Sequence, residues 1–311
     1  MLKQAGSILA IHPGAMGDVI LFGHLLGALG GPVTLVAGKE KASLLAGLGV
    51  AKRAVDFNAL PMHEVFASGP AAGDLSARLG RHERLVSCFA AGNPQAEATL
   101  TALCGADSAA FLPVRPPEGF PGHLLDLWTN LLGMPVLSRY PAPWPVPKEL
   151  QHIASKVLTE NGVDLTKPYI AIHPGAGSAA KCWPLEQFIE LADLLRRRGL
   201  AVVWILGPVE QERWPVDKVE TLKEAGSLLP PLDLAALAGV LAGAAGFVGN
   251  DSGPAHLAAA VGTATVVVAT LVSTRHFAPL GPRVATVTAQ TLEAISPQSV
   301  EQSLAGLAAG R

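Results

Sequence analysis

A six-residue segment occurs twice in this chain and limits the possible folds more than any other feature. Residues 10–15 and 171–176 both read Ala-Ile-His-Pro-Gly-Ala. Each copy follows a short apolar run typical of a buried strand, and each precedes a glycine-rich loop and a helix-like segment. The repeat is explained either by chance and a common strand-end turn, or by two similar α/β domains that each open with a strand, a loop and a helix.

The rest of the chain alternates between strand-like and helix-like segments. Such alternation predicts parallel sheets wrapped by helices, whose ligands bind in the loops at the carboxyl ends of the strands. The predicted strands are residues 7–11, 33–37, 84–89, 169–172, 201–207, 246–249 and 265–269, and the predicted helices are 18–28, 41–48, 123–132, 185–198, 234–242 and 254–261.

A proline-rich stretch separates the two copies of the repeat. Residues 139–149 hold four prolines in eleven positions, which predicts an extended, non-helical linker. We therefore predict a first Rossmann-like domain over residues 1–142 and a second over 143–290. Residues 291–311 are predicted to form a C-terminal helix that packs back on the first domain.

Composition excludes several classes of protein. Lys and Arg total 23 against 25 for Asp and Glu, so no basic excess favours nucleic-acid binding. Three scattered cysteines without a C-x-x-C pair argue against a disulfide framework or a structural zinc site, and suit a reducing cytoplasm. The most apolar stretch, residues 257–273, is interrupted by Gly262 and three threonines, so we interpret it as a buried helix followed by a buried strand.

The first candidate loop follows the first copy of the repeat. Gly14 and Gly17 allow close approach of the backbone to a ligand, and Asp18 stands at the start of the next helix. The carboxylate of Asp18 has two interpretations. It caps the helix or complements its dipole, or it faces a cleft as a general base.

The second candidate loop, residues 173–184, is rich in small residues from Gly175 to Ala180, which Lys181 follows. Open backbone amides next to one lysine suit phosphate oxygens, although a solvated surface lysine is the alternative. Further along, Glu210 follows a predicted strand, where a carboxylate either holds ribose hydroxyls or begins a solvated helix.

The third candidate loop lies between a strand and a helix and contains Asp251, Ser252, Gly253 and His256. The amides of Ser252, Gly253 and Ala255 are expected to point at the helix N-terminus, where an anion is favoured. His256 is either a packed residue or a group within reach of that anion. Since no D-x-D motif occurs in the chain, we expect Lys181, His256 and backbone amides to neutralise a diphosphate without a metal ion.

Together the three loops resemble those of glycosyltransferase family 9, the ADP-heptose:lipopolysaccharide heptosyltransferases. The motifs that carry the resemblance are residues 13–20, 173–184 and 249–260. The resemblance implies a GT-B fold, in which two Rossmann-like domains face a central cleft. It also implies an inverting, metal-independent transfer of heptose from ADP-heptose to a lipopolysaccharide core acceptor.

The resemblance also implies roles for individual residues. Asp18 would be the general base, Lys181 would hold the donor diphosphate and Glu210 would hold the ribose. The other expected donor-site residues are Gly177, Ser178, Asp251, Ser252, Gly253 and His256. The first domain would bind the acceptor, with His12, Met16, Arg78 and Arg81 as candidate contacts.

Two departures bear on the acceptor. Many family members have Arg or Lys where this chain has His12, and the first half lacks a dense basic cluster apart from the group around Arg78, Arg81 and Arg84. These departures leave two alternatives open: an acceptor, or a donor sugar, that differs from the one used by the family. The expected localisation is the cytoplasm, with a peripheral contact at the inner leaflet of the inner membrane.

Alternatives from other classes remain at this point. One is a GT-B transferase or epimerase that uses another nucleotide-sugar. Another is a nucleotide- or glycan-binding protein without turnover. A nicotinamide-dependent oxidoreductase is disfavoured because the loop after the first strand lacks the G-x-G-x-x-G fingerprint.

Overall fold

The computed structural model describes residues 6–67, 73–271 and 275–309. The chain divides into two compact units between Leu137 and Ser138, slightly before the predicted boundary at residues 142 and 143. In chain order, the described elements of the first unit are β1 (Ile8–Ile11), α1 (Met16–Leu29), β2 (Val33–Ala37), α2 (Lys39–Gly47), β3 (Arg53–Asp56), the 3-10 helices Phe57–Ala59 and Met62–Phe66, α3 (Gly73–Leu79), β4 (Arg84–Ser87), α4 (Pro94–Cys104), β5 (Ser108–Phe111) and α5 (Leu124–Leu131).

The second unit repeats the alternation of strands and helices. Its described elements are α6 (Lys148–Glu160), β6 (Tyr169–His173), the 3-10 helix Ala179–Lys181, α7 (Leu185–Arg197), β7 (Ala201–Trp204), α8 (Pro208–Arg213), α9 (Val216–Ala225), β8 (Ser227–Leu228), α10 (Leu234–Gly243), β9 (Gly246–Asn250), α11 (Gly253–Ala260), β10 (Thr265–Thr270), β11 (Val284–Ala289), the 3-10 helix Leu292–Ala294 and α12 (Pro297–Ala309).

The strands of the first unit form a parallel sheet in the order β3-β2-β1-β4-β5. The chain runs from β1 to β2 and β3 on one side, and then returns to β4 on the other side of β1. The loops after β1 and β4 therefore leave the sheet in opposite directions. This arrangement is the topological switch point at which doubly wound sheets bind ligands.

The second sheet is also parallel, in the order β11-β10-β9-β6-β7-β8. Here the switch point lies between β6 and β9. The two copies of the repeated hexapeptide span the ends of β1 and β6, so each copy feeds the switch point of its own unit. The prediction of two similar α/β domains is confirmed.

Burial explains why these segments form central strands. Every residue of β1 and of β6 is buried, as expected for strands covered by helices on both faces. In the second unit, Trp183, Phe188 and Trp204 are at most 1% exposed and are among the largest side chains of the core. Burying each side chain of this kind stabilises the fold by roughly 1.5–3 kcal/mol.

The final helix, α12, belongs to the second unit. It packs on α7 and on the strands β9 to β11, and its Val300 and Leu304 are buried in the core of that unit. Glu301 accepts a hydrogen bond from Arg198 at 2.8 Å. The predicted division at residue 290 is therefore corrected, because apolar residues of α12 complete this core. Packing of the helix on the first domain stays a prediction.

Two further predictions concern the linker and the most apolar stretch. The linker is non-helical only as far as Pro147, because Pro147 is the N-cap residue of α6 and the helix begins at Lys148. Residues 257–273 form the end of α11 and then β10, as predicted, while positions 272–274 lie outside the described residues. Among the residues that the structure describes, no helix has the length and apolarity needed to cross a membrane.

Candidate functional site

The switch point of the second sheet brings together the second and third candidate loops. Lys181 Nζ lies 2.9 Å from Asp251 Oδ2, and His256 Nε2 lies 4.0 Å from Asp251 Oδ1. The side chain of Asp251 is 7% exposed and that of Lys181 is 46% exposed. A buried carboxylate therefore holds a half-exposed ammonium group at the carboxyl edge of the sheet, in a position to meet an anion.

Sequence reasoning missed Asn250, which organises this edge. Its fully buried side chain donates to the carbonyls of Pro174 (2.9 Å) and Gly175 (3.2 Å) and accepts from the backbone amide of Trp183 (2.9 Å). These bonds fix both ends of the loop that carries Lys181. A polar side chain at the end of a buried strand, directly before Asp251, was the available signal.

The third loop ends at the N-terminus of α11. Ser252 is the N-cap residue, yet its side chain makes no capping bond, and among the described residues its buried Oγ has no hydrogen-bond partner. The sequence predicted that the amide of Ala255 is also available to a ligand. In the structure this amide instead donates to the carbonyl of Ser252 at 3.1 Å. The amides of Ser252 and Gly253 and the Ser252 hydroxyl remain the candidate anion donors at this helix start.

Glu210 lies in the first turn of α8, the helix that follows the neighbouring strand β7. Its Oε2 accepts from the amide of Gly207 at 2.9 Å, and the residue is 4% exposed. A cavity of about 400 Å³ in this unit is lined by Gly177, Ser178, Glu210 and Trp214, among other residues. Three predicted donor-site residues thus share one cavity, while the ribose role of Glu210 stays a prediction.

The switch point of the first sheet holds Asp18. The helix α1 begins at Met16 with Ala15 as its N-cap residue, so Asp18 lies in the first turn and is not the cap. A Cβ atom added to Gly14 would lie 3.2 Å from Asp18 Oδ2, which places the carboxylate against the loop after β1. The negative charge of Asp18 also contributes, after burial, to the raised pKa of the Cys88 thiol at the end of β4. Both loops of this switch point therefore border Asp18.

A sequence profile decides the family. The profile of glycosyltransferase family 9 (heptosyltransferase) matches residues 131–307, more than half of the chain. The chain belongs to glycosyltransferase family 9.

Individual relatives of this family 9 chain agree with that assignment. The chain is 34% identical over 102 residues to lipopolysaccharide heptosyltransferase 3 of Escherichia coli K12. This alignment covers 32% of the chain and 29% of that protein. The alignments with the first two curated relatives thus span between 29% and 38% of their lengths.

Solved structures show the fold. A family 9 glycosyltransferase from Veillonella parvula superposes with a TM-score of 0.77 at 17% identity, covering 100% of this chain and 99% of that one. The E. coli ADP-heptose lipopolysaccharide heptosyltransferase II gives 0.71 at 19% identity, covering 98% and 99%. These neighbours are GT-B glycosyltransferases, and the predicted GT-B fold of this family 9 chain is confirmed.

The predicted acceptor contacts of this family 9 chain are not placed together. His12 is 1% exposed and packs against the rings of Phe22 and Trp128, with centroids 5.3 and 6.3 Å away. Its Nδ1 accepts from the amide of Gly14 at 3.0 Å. This burial favours a role for His12 in shaping the loop after β1, whereas Met16 is partly exposed at the first position of α1.

Arg78 and Arg81 lie at the other edge of the first sheet. Both precede β4, whose first residue, Arg84, pairs with the first residue of β1 at the amino ends of the strands. Arg78 is paired with Asp74 at 3.7 Å, and Arg81 lies beside Gly105. Asp18 follows the carboxyl end of β1, so these arginines lie at the opposite edge of the sheet from Asp18, and their role as acceptor contacts stays a prediction.

No group of three or more His, Cys, Asp or Glu side chains suited to a metal ion occurs within residues 6–67, 73–271 and 275–309.

Replacing Gly175 with Ala should destabilise the second unit by about 1–3 kcal/mol. The added Cβ would lie 2.1 Å from the carboxylate of Glu210, which would have to leave its bond to Gly207. Urea unfolding measures the effect. Gly177→Ala, in the same loop, is the matched control because its Cβ would meet nothing within 4 Å. Equal stability of the two variants would contradict the observed position of Glu210.

The stability of the first unit should fall as the pH is lowered from about 6.5. Burial, with a smaller contribution from the charge of Lys41, lowers the pKa of His12 from 6.5 to about 4. Between these values the unfolded chain binds a proton that the folded chain does not. The free energy of unfolding should therefore decrease by up to about 1.4 kcal/mol for each pH unit between about 6.5 and 4. Well above pH 6.5, the titration of His12 should contribute no pH dependence.

His12→Asn tests this pH dependence, because Asn retains an acceptor for the Gly14 amide and does not titrate. Urea unfolding at pH 7, 6 and 5 should give a smaller pH slope for His12→Asn than for the wild type. His63→Asn, at an exposed histidine of the same unit, is the control. Identical slopes for the wild type and His12→Asn would contradict the prediction.

Proposed function

We propose that this chain is an inverting, metal-independent glycosyltransferase that moves heptose from ADP-heptose to a lipopolysaccharide core acceptor. The observation that carries the proposal is the Lys181–Asp251 pair beside a small-residue loop and a helix N-terminus, at the switch point of the second sheet. Membership of glycosyltransferase family 9 supports the sugar and the acceptor class. Since the acceptor is lipid-linked, we place the reaction at the cytoplasmic face of the inner membrane.

The donor diphosphate would bind between the two loops at that switch point. Lys181 would contribute a positive charge, and Ser252 and Gly253 would contribute amides at the positive end of the α11 dipole. Asp251 holds Lys181 in place through its buried carboxylate. The other groups assigned to the donor are the small residues of the cavity, the buried histidine and the carboxylate near the ribose, namely Gly177, Ser178, His256 and Glu210.

Asp18 would act as the general base. A sugar hydroxyl is a weak nucleophile at neutral pH, so its proton would pass to the Asp18 carboxylate as the oxygen attacks the anomeric carbon. The new C–O bond forms on the face opposite the diphosphate, the bond from the anomeric carbon to ADP breaks, and ADP leaves with the bonding electrons. This geometry inverts the anomeric configuration.

The donor-site groups would then stabilise the departing charge. Negative charge increases on the diphosphate as the glycosidic bond breaks, so Lys181 and the amides at the start of α11 should interact more strongly with the transition state than with the ground state. The chain has no D-x-D motif to clamp a metal on the diphosphate. The proposal therefore assigns this neutralisation to protein groups.

The direct test is transfer with purified protein, ADP-heptose and lipopolysaccharide from cells that lack the core heptoses. The expected results are stoichiometric ADP release, a mass increase of one heptose on the acceptor, an inverted anomeric configuration by NMR, and unchanged rates in EDTA. UDP- and GDP-sugars are the comparison donors. Preferential transfer from one of these, or activity that EDTA abolishes and Mg²⁺ restores, would contradict the proposal.

A further inference from the structure

Lys41 lies beside the loop that carries Asp18, although it belongs to a different element. The strand β2 is adjacent to β1, and α2 begins two residues after β2 ends, so the first turn of α2 stands next to the loop after β1. Lys41 Nζ donates to the carbonyl oxygen of Gly14 at 2.5 Å, and the side chain is partly buried.

Gly14 is consequently held from both sides. Its amide donates to Nδ1 of the buried His12 at 3.0 Å, and its carbonyl accepts from Lys41. A Cβ atom at this position would lie 2.5 Å from the His12 ring and 3.2 Å from Asp18 Oδ2. The backbone that Lys41 anchors thus lies close to the carboxylate of Asp18, within about 5 Å of Oδ2 at the Gly14 Cα.

The titratable groups around Asp18 come from several elements. The loop after β1 contributes His12 and the end of β4 contributes Cys88. Burial lowers the pKa of His12 to about 4 and raises that of Cys88 well above its usual range, so both are uncharged at neutral pH. Further titratable groups lie on α1 and on the two helices that pack against it. They are His24 on α1, the N-cap residue His123 and Asp126 of α5, and Lys39, Glu40 and Lys41 in the first turn of α2.

Among these α2 residues, Lys41 has the bond to the base loop, while Lys39 and Glu40 are exposed. With standard backbone dimensions, the contacts of Gly14 place Lys41 Nζ at most about 10 Å from Asp18 Oδ2. A cation at that distance favours the ionised form of a carboxylate.

We propose that Lys41 is a positioning residue for the reaction: it fixes the backbone at Gly14 and supplies positive charge that favours the ionised form of the Asp18 carboxylate. This inference rests on the proposed function, since it assumes that Asp18 is the base. Lys41 acts through Asp18 and the loop, and it does not contact the reacting atoms.

The test compares the pH dependence of kcat/KM for the wild type and four variants, with ADP-heptose and heptose-deficient lipopolysaccharide as substrates. Lys41→Met removes both the hydrogen bond and the charge, Lys41→Gln retains a donor without the charge, and Lys41→Arg retains both. Lys39→Met is the control, because Lys39 is an exposed lysine of the same helix turn.

For Lys41→Met and Lys41→Gln, the acidic limb of the profile should move to higher pH by a few tenths to about one unit. Lys41→Arg and Lys39→Met should keep the wild-type limb. In Lys41→Met, the lost anchor should also lower kcat at neutral pH about tenfold, with the donor KM unchanged. If Lys41→Met does not fold, Lys41→Gln still measures the effect of the lost charge on the acidic limb.

Two outcomes would overturn the inference alone: an unshifted acidic limb in Lys41→Gln, or lower thermal stability in Lys41→Met with an unchanged profile, while Asp18→Asn is inactive. Full activity of Asp18→Asn would instead remove the general base from the proposed function, and the inference with it. The Asp18 and Lys41 variants therefore separate the two failures.

Discussion

Replacing Asp18 with Asn should lower the turnover number by about 10²–10⁴-fold, which is the usual contribution of a general base. Asn has nearly the same size and keeps hydrogen-bonding capacity, but it does not accept a proton from the attacking hydroxyl. ADP affinity should be nearly unchanged, because the candidate phosphate ligands Lys181, Ser252 and Gly253 belong to the second unit. Steady-state kinetics with ADP-heptose and heptose-deficient lipopolysaccharide, together with calorimetric titration of ADP, measure the two effects.

A purely structural Asp18 would behave differently. Ala15 occupies the N-cap position of α1, so one structural role for Asp18 is to complement the helix dipole, worth about 0.3–1 kcal/mol of stability. Asp18→Asn would then unfold slightly earlier and turn over normally. Asp107→Asn, an exposed aspartate at the amino edge of the same sheet, is the control for the substitution itself. Near wild-type transfer by Asp18→Asn would contradict the base assignment.

Replacing Lys181 with Ala should weaken ADP binding by about 10–100-fold. Hydrogen bonds to charged groups contribute about 1.5–3 kcal/mol, and each 1.4 kcal/mol changes affinity tenfold. Calorimetric titration of ADP measures the change. Lys167→Ala is the matched control, because this lysine is exposed and pairs with Asp164 at 3.8 Å, just before the amino end of β6. Equal ADP affinity in Lys181→Ala and the wild type would exclude Lys181 as a phosphate ligand.

The loss of Lys181 also leaves the carboxylate of Asp251 without the ammonium group that faces it, and Asp251 is only 7% exposed. A buried carboxylate that has lost its ion-pair partner is unfavourable by itself and repels a phosphate. Lys181→Ala/Asp251→Asn separates the two contributions. If Lys181 contacts phosphate, the double variant should bind ADP less tightly than Asp251→Asn alone. Equal affinities would show that Lys181 serves only to neutralise Asp251.

Local patterns in the sequence predicted the central strands, most of the helices and the three loops of the candidate sites. The prediction succeeded there because strands buried on both faces leave continuous apolar runs, and because glycine-rich turns follow them. Less regular segments were missed. The strand β5 is short and partly exposed, and helices α8 and α9 bury few of their residues. None of these three elements therefore gives a clear hydrophobic period.

The amino-acid sequence by itself determined that the chain holds two α/β units, and that Asp18, Lys181 and Asp251 each lie in the connection between a strand and the helix that follows it, or in the first turn of that helix. Only the tertiary structure decided which of these groups meet. Strand order placed Arg78 and Arg81 at the amino edge of the first sheet, away from Asp18, and brought Lys41 to the base loop. Similarly, the pairing of β6 with β9 brought Asn250 to the loop of Lys181. The physical reason is that hydrophobic periodicity records which faces are buried, whereas the neighbours of a strand depend on long-range packing that no local pattern encodes.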